Sequence, residues 1–186
     1  MSRILLAAGA SAALHKACDL ASTLAQDGHQ VRCVLTPRAA QLVSPQLFEA
    51  LTGEPASVTE FGDGRRGGMD HIELARWTEV FLVAPCSADL LARLALGLAD
   101  DLVTTVALAL DRRVLRILCP AMNPNMLSSP PVVRHLAQLR GDGWREVPPD
   151  AGRLACGVEG PGRLAEPEHI AAFVRELTGG DGGRRT

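Results

Sequence analysis

Residues 119–126 read "CPAMNPNM" and follow directly on the apolar run "VLRIL" (114–118). Pro124 pushes Asn123 into an extended backbone, and Pro120 ends any strand ladder that reaches it. The amide of Asn123 is therefore held at the end of a strand, where its donors and its carbonyl can meet a carboxylate or simply form a turn. Met122 and Met126 flank it, and soft thioethers of this kind often line ligand surfaces. Three further segments place small polar residues after an apolar run: "GAS" (9–11), "TPR" (36–38) and "APCSADLL" (84–91). Ser11, before a helix expected from Ala12, and Ser87 are each either an ordinary N-cap or part of a phosphate site, since free N–H groups and the helix dipole favour an anion there. Together the three openings describe a mononucleotide site. The glycine pattern of a dinucleotide fingerprint is missing. His71 opens "MDHIELARW", and a structural and a catalytic place fit it equally well. Cys156 lies among glycines and a proline in "RLACGVEGPGR", unlike the other four cysteines, which sit in apolar contexts and behave as small buried hydrophobes.

The elements that must position these residues alternate along the chain. Strands are expected at 3–8, 30–35, 79–84 and 112–118, with a short one in "WREVP" (144–148). Helices are expected at 12–27, 39–51, behind the third strand from Ser87, at 129–140 and at 167–177. Short, wholly apolar strands separated by amphipathic helices predict a parallel sheet covered on both faces. The fold class is thus α/β, a three-layer sandwich in one domain over 1–178, with a disordered tail at 179–186. In such sheets ligands bind outside the carboxyl ends of the strands, which is where the polar residues above fall. Residues 52–69 and 148–165 are rich in Gly and Pro and carry no period, so both are expected to be irregular and functional or mobile.

Composition narrows the function classes. The 186 residues are 47% hydrophobic but only 3% aromatic, with no tyrosine, so the core must be aliphatic. A net charge of −2 gives no electrostatic case for nucleic acid or an anionic membrane. The longest apolar stretch, "VFLVAP", is far too short to span a bilayer, and a cytoplasmic location is expected. Five cysteines without a CxxC spacing imply neither a disulfide framework nor a metal site.

The segments "MDHIELARW", "APCSADLLARLALGLADDLVTTVALA", "PAMNPNM" and "LACGVEGPGRLAEPEHI", in this order and spacing, resemble the flavin-containing cysteine decarboxylases, most closely the phosphopantothenoylcysteine decarboxylases of coenzyme A biosynthesis. The resemblance runs from about residue 3 to residue 177. It implies a Rossmann-like (flavodoxin-like) fold, with FMN at a subunit boundary in a homotrimer or a dodecamer of trimers. It places Ala10, Ser11, Thr36, Arg38, Ser87, Ala88, Asp89 and Ala121 against the cofactor, and Asn123, Met126 and Arg76 against a small-molecule substrate. It makes His71, Asn123 and Cys156 catalytic, with Cys156 as a proton donor on a flap. The implied reaction oxidises the substrate's cysteine side chain to a thioaldehyde, whose C=S accepts the electrons released with CO₂. The enethiolate that results is then reduced to 4′-phosphopantetheine.

Three departures from the family pattern matter. Gly9-Ala10-Ser11 sets the glycine one place early, Leu127 stands where Trp is usual, and Leu164 where Met is usual. Relaxed substrate choice would follow from the last two. Related readings are oxidative decarboxylation of a peptide's C-terminal cysteine, and a non-catalytic flavin-binding regulatory subunit. Joint retention of His71, Asn123 and Cys156 favours the full decarboxylase. Bacterial enzymes of this family are usually fused to a synthetase that makes phosphopantothenoylcysteine, so the resemblance implies a stand-alone form with a separate phosphopantothenoylcysteine synthetase as partner, a piece cut from such a fusion, or a decarboxylase with another task.

Overall fold

A computed structural model describes residues 1–60, 70–155 and 157–179. Its centre is a six-stranded parallel sheet of β1 (Arg3–Ala8), β2 (Gln30–Leu35), β3 (Ala56–Ser57), β4 (Val80–Cys86), β5 (Leu115–Pro120) and β6 (Arg145–Glu146), in the order β3-β2-β1-β4-β5-β6. This is the doubly wound order. Setting aside the two-residue edge strand β3, the remaining sequence of neighbours is the flavodoxin-like one. The winding reverses between β1 and β4, which pair with Leu5 beside Phe81 and Ala7 beside Val83.

The central strands are mostly apolar, and β4 (VFLVAPC) is buried along its whole length, because both faces of the sheet are covered. Ile4, Leu6 and Ala8 point into one core with α1 (Leu14–Gln26), α2 (Pro45–Thr52) and α8 (Pro167–Gly179). Leu5 and Ala7 point into the other, with α3 (Asp70–Trp77), α4 (Ala88–Leu96), α5 (Leu102–Ala109) and α7 (Pro130–Gly141). The pleat of a single strand thus feeds two cores. Aromatic packing is confined to few places, such as the edge-on contact of Phe81 and Trp144 at 6.0 Å. Cys18, Cys33, Cys86 and Cys119 are buried within these layers, and burial pushes their thiols up, away from reactivity. None of the described helices is long and apolar enough to cross a membrane.

Several expected boundaries move, each for a local reason. The helix expected from Ala39 begins at Pro45, because the residue before a proline avoids the helical region and Ser44 is extended (φ −65°, ψ 134°). Turns fill residues 37–43 instead. The helix expected from Ala12 begins at Leu14. The fourth long strand runs to Pro120, its last residue, paired with Cys86. Both segments expected to be irregular contain structure. The first supplies β3, and the second folds into an antiparallel hairpin of β7 (Asp150–Arg153) and β8 (Glu159–Arg163). Residues 61–69 of the first segment, and the expected tail beyond Gly179, lie outside the described residues.

Candidate functional site

The loop after β1 is shaped by Gly9. Its N–H donates to the carbonyl of Pro85 at 3.0 Å, and a Cβ at this position would lie 2.8 Å from that oxygen and 3.0 Å from Leu90 Cδ2. No side chain fits between the ends of β1 and β4, which accounts for a glycine at position 9. Ser11 does not cap α1 as expected. Its Oγ accepts the Ala13 N–H at 3.2 Å, and Ala13 occupies the N-cap with no side-chain bond. Ser11 therefore tightens the turn that leads into the helix.

Thr36, buried at the end of β2, accepts the Ala39 N–H through Oγ1 at 3.2 Å and so fixes the turn that carries Arg38. Ser87 is the N-cap of α4 as expected, extended and accepting the Leu90 N–H at 3.3 Å. Truncating an N-cap hydroxyl typically costs about 1 kcal/mol. Ser87→Ala is expected to lower unfolding stability by about that amount, read as a lower urea midpoint at unchanged slope.

Asn123 also caps a helix. At φ −56° and ψ 146° it is extended as Pro124 requires, and its Oδ1 accepts the Asn125 N–H at 2.8 Å at the start of the single turn α6 (Pro124–Leu127). The turn role is thus real for the carbonyl, and it fixes the direction of the whole amide. The corner is held from outside by the hairpin. Met122 N–H donates to the Gly162 carbonyl at 3.0 Å. Gly162 has φ +128°, and a Cβ there would lie 2.1 Å from the Met122 carbonyl oxygen. Glycine is obligatory where β8 rests on the "PAMN" backbone.

These parts enclose one two-lobed cleft at the carboxyl ends of β1, β2, β4 and β5. The larger lobe, about 620 Å³, is lined by Ala10, Ser11, Ser87, Ala88, Ala121, Asn123 and Met126 among others, with Leu154, Ala155 and Leu164 from the hairpin side. The smaller, about 300 Å³, adds Thr36, Arg38 and Asp89 and shares Ala10, Ser87, Ala88 and Met126. The floor is made of small side chains. Such a broad, shallow-walled space between helix openings fits a planar ring with a phosphate-bearing tail. Among the described residues no cluster of acidic, His or Cys side chains could hold a metal.

Sequence and structure part company over α3. His71, in its first turn, faces the Glu60 carboxylate through Nδ1, and Arg76 is exposed at the opposite end of the helix, two residues after Leu74. Neither lines the cleft of its own chain. Cys156 lies outside the described residues, although its neighbour Ala155 lines the larger lobe. Conversely, His15, Lys16, Arg153 and Arg163 line that lobe without having been singled out from sequence. Lys16 Nζ donates to the Leu164 carbonyl at 3.2 Å and to Glu166 at 2.8 Å, and the hydrogen bond from Lys16 is the first cause that holds the Glu166 carboxyl below its usual range. The spacing of Lys16 on α1 gave no cue, because its partner is 150 residues away.

A family profile described as Flavoprotein matches residues 1–179 of the 186. The chain belongs to the flavoprotein family. Relatives of this flavoprotein include a coenzyme A biosynthesis bifunctional protein of Bacillus subtilis, 39% identical over 173 residues that make up 93% of this chain and 42% of the relative. The chain thus spans about two fifths of the length of the bifunctional relatives it matches. A probable phosphopantothenoylcysteine decarboxylase of Streptococcus mutans is 37% identical over 94% of this chain and 97% of its own length. Among solved structures, a cysteine-to-serine mutant of PPC decarboxylase complexed with pantothenoylaminoethenethiol is 32% identical, with a TM-score of 0.83 over 96% of this chain and 98% of that one.

Proposed function

We propose that this flavoprotein is an FMN-dependent decarboxylase that converts 4′-phosphopantothenoylcysteine to 4′-phosphopantetheine. The observation that carries this reading is that one cleft joins the mononucleotide-type helix openings to the Asn123–Met126 corner. A cofactor and a substrate carboxylate would then meet in a single cavity. End-to-end similarity to the decarboxylase of Streptococcus mutans supports the same assignment.

Ala10, Ser11, Thr36, Arg38, Ser87, Ala88, Asp89 and Ala121 would hold FMN. When bound, FMN supplies the two-electron chemistry that turns the substrate's cysteine side chain into an electron sink for loss of CO₂. The protein's own groups position and protonate. Asn123, its backbone fixed by Pro124 and its Oδ1 by Asn125, orients the substrate carboxylate, and Met126 packs against it. The hairpin, docked through Gly162, excludes water from the corner. Cys156, which falls between β7 and β8 in the sequence, would deliver a proton from Sγ to carbon in the final step.

Assembly completes the site. His71 lies near the carboxyl edge of the sheet yet outside its own chain's cleft, so a second copy would supply it, and a homotrimer is the assembly implied by the sequence resemblance. Arg76, exposed on α3, would belong to the same contact. A separate synthetase would supply the substrate, as the bifunctional relatives suggest.

Anaerobic incubation of the yellow holoprotein with 4′-phosphopantothenoylcysteine tests the reading through product mass. Loss of CO₂ alone is expected; loss of CO₂ and two hydrogens would replace it with an enethiol-forming activity. The Cys156→Ser variant is expected to keep its flavin and release CO₂ but to accumulate the enethiol. Normal yields of phosphopantetheine from that variant would remove Cys156 from the mechanism.

A further inference from the structure

The proposed reaction brings two phosphate-bearing molecules into the cleft, and its two lobes hold their cations differently. In the smaller lobe Arg93 is neutralised by Asp89, Asp100 and Asp101 at 2.8–2.9 Å, which leaves Arg38 as the cation without an ion pair among the described residues. That place suits the cofactor's phosphate. The larger lobe differs in kind. Lys16 and His15 reach it from the first turn of α1, and Arg153 and Arg163 from the two strands of the hairpin, while no carboxylate lines it. We infer that Lys16, Arg153 and Arg163 bind the terminal phosphate of the substrate, an assignment that rests on the decarboxylase reading above.

The geometry favours a preformed anion site. Lys16 Nζ and Arg163 Nη2 both donate to the same oxygen, Oε1 of Glu166, at 2.8 and 2.9 Å. A single carboxylate therefore draws a helix and a β-strand together and holds two cations side by side. The Lys16 side chain is only 14% exposed, so little freedom remains to be lost when an anion arrives. Arg153 enters no ion pair among the described residues and adds a planar fork suited to phosphate. Three cations against one carboxylate leave an excess close to the charge of a phosphate monoester, about −1.5 to −2 at neutral pH. Within a concave lobe with apolar walls that excess is felt strongly. The same lobe carries Asn123 and Met126, so both ends of one substrate would be gripped within it.

A phosphate held there would also fasten the hairpin to the body. Arg153 and Arg163 belong to β7 and β8, whereas Lys16 belongs to α1, so a phosphate between them bridges the two. Substrates without the phosphate would leave these cations unbridged.

The test compares kcat/KM for 4′-phosphopantothenoylcysteine and for its dephosphorylated analogue, pantothenoylcysteine, in the flavin-loaded protein. The preference for the phosphorylated substrate is expected to fall at least about tenfold in Arg153→Gln, and likewise in Lys16→Gln. Arg153→Lys is expected to restore part of it. Arg153 is exposed, so its replacement leaves folding intact. An unchanged preference in both variants overturns the assignment and leaves the decarboxylase reading standing. Loss of flavin from Arg153→Gln at unchanged preference also overturns it, by giving the cations to the cofactor. If the wild-type protein turns over neither compound, the decarboxylase reading fails and the phosphate site fails with it.

Discussion

Co-expression of His71→Ala and Asn123→Ala copies is expected to recover activity that neither variant shows alone. Each single substitution removes a group placed in the catalytic machinery, and each homogeneous variant should lose nearly all turnover. The chain by itself puts Asn123 in the cleft and leaves His71 beside Glu60 on α3, outside it. If a neighbouring copy provides the histidine, a working site needs an intact cleft from the His71→Ala copy and an intact His71 from the Asn123→Ala copy. In a closed ring with one heterologous contact per copy, random mixing satisfies this at about one quarter of the sites. Two affinity tags, one on each variant, allow mixed assemblies to be isolated before assay. A site built within one chain would give no recovery at any mixing ratio, and His71 would then have to reach the cleft by movement of α3. The predicted fraction separates the two cases without requiring knowledge of the substrate's pose.

What could be read from the sequence and what could not divide along physical lines. The strands of the sheet were legible because burial on both faces demands unbroken apolar runs, and the cleft's floor because polar residues must gather where those runs end. Asn123 and Ser87 were legible for a local reason, since a proline and a helix start fix their backbones. The start of α2 was misplaced because the apolar pattern from Ala39 continues into it, while Pro45 sets the boundary. The hairpin was hidden: "DAGR" and "EGPGR" have neither alternation nor β-branched residues, and their pairing depends on contacts with the corner. Lys16 was hidden because its partners, Leu164 and Glu166, are distant in sequence. Ser11 was given the right neighbourhood and the wrong bond, since capping at Ser11 would require the helix to begin two residues sooner than it does. The helix that begins at Asp70 and carries His71 was not among the expected elements, and a single chain's periodicity carries no information about which copy's cleft that helix serves.

The hairpin's dependence on one glycine makes Gly162→Ala the second large effect. Two penalties combine at this position. The backbone sits at φ +128°, where an L side chain is strained, and strain of this kind costs about 1–3 kcal/mol. The added Cβ would also lie 2.1 Å from the Met122 carbonyl oxygen, which is backbone and cannot swing aside. Relief requires β8 to lift away from the corner, and that breaks the Met122 N–H to Gly162 carbonyl bond. The main cores lie beneath the sheet and helices, so most of the fold should survive, with a loss of about 1–3 kcal/mol in unfolding stability. Turnover should suffer far more, because the lifted hairpin carries Leu154, Ala155 and Arg163 out of the larger lobe and exposes Asn123 to water. A fall in kcat/KM of about two orders of magnitude is expected, consistent with the rate cost of displacing positioning groups by about 1 Å. Gly157→Ala is the control, since that glycine also has a positive φ (+81°) but nothing within 4 Å of an added Cβ. It shares the backbone strain and lacks the clash. Limited proteolysis within 150–163 should accelerate in Gly162→Ala well beyond Gly157→Ala, in step with the loss of turnover. Equal effects in the two variants would mean that backbone strain alone acts, and that docking of the hairpin on Met122 has no part in shaping the cleft.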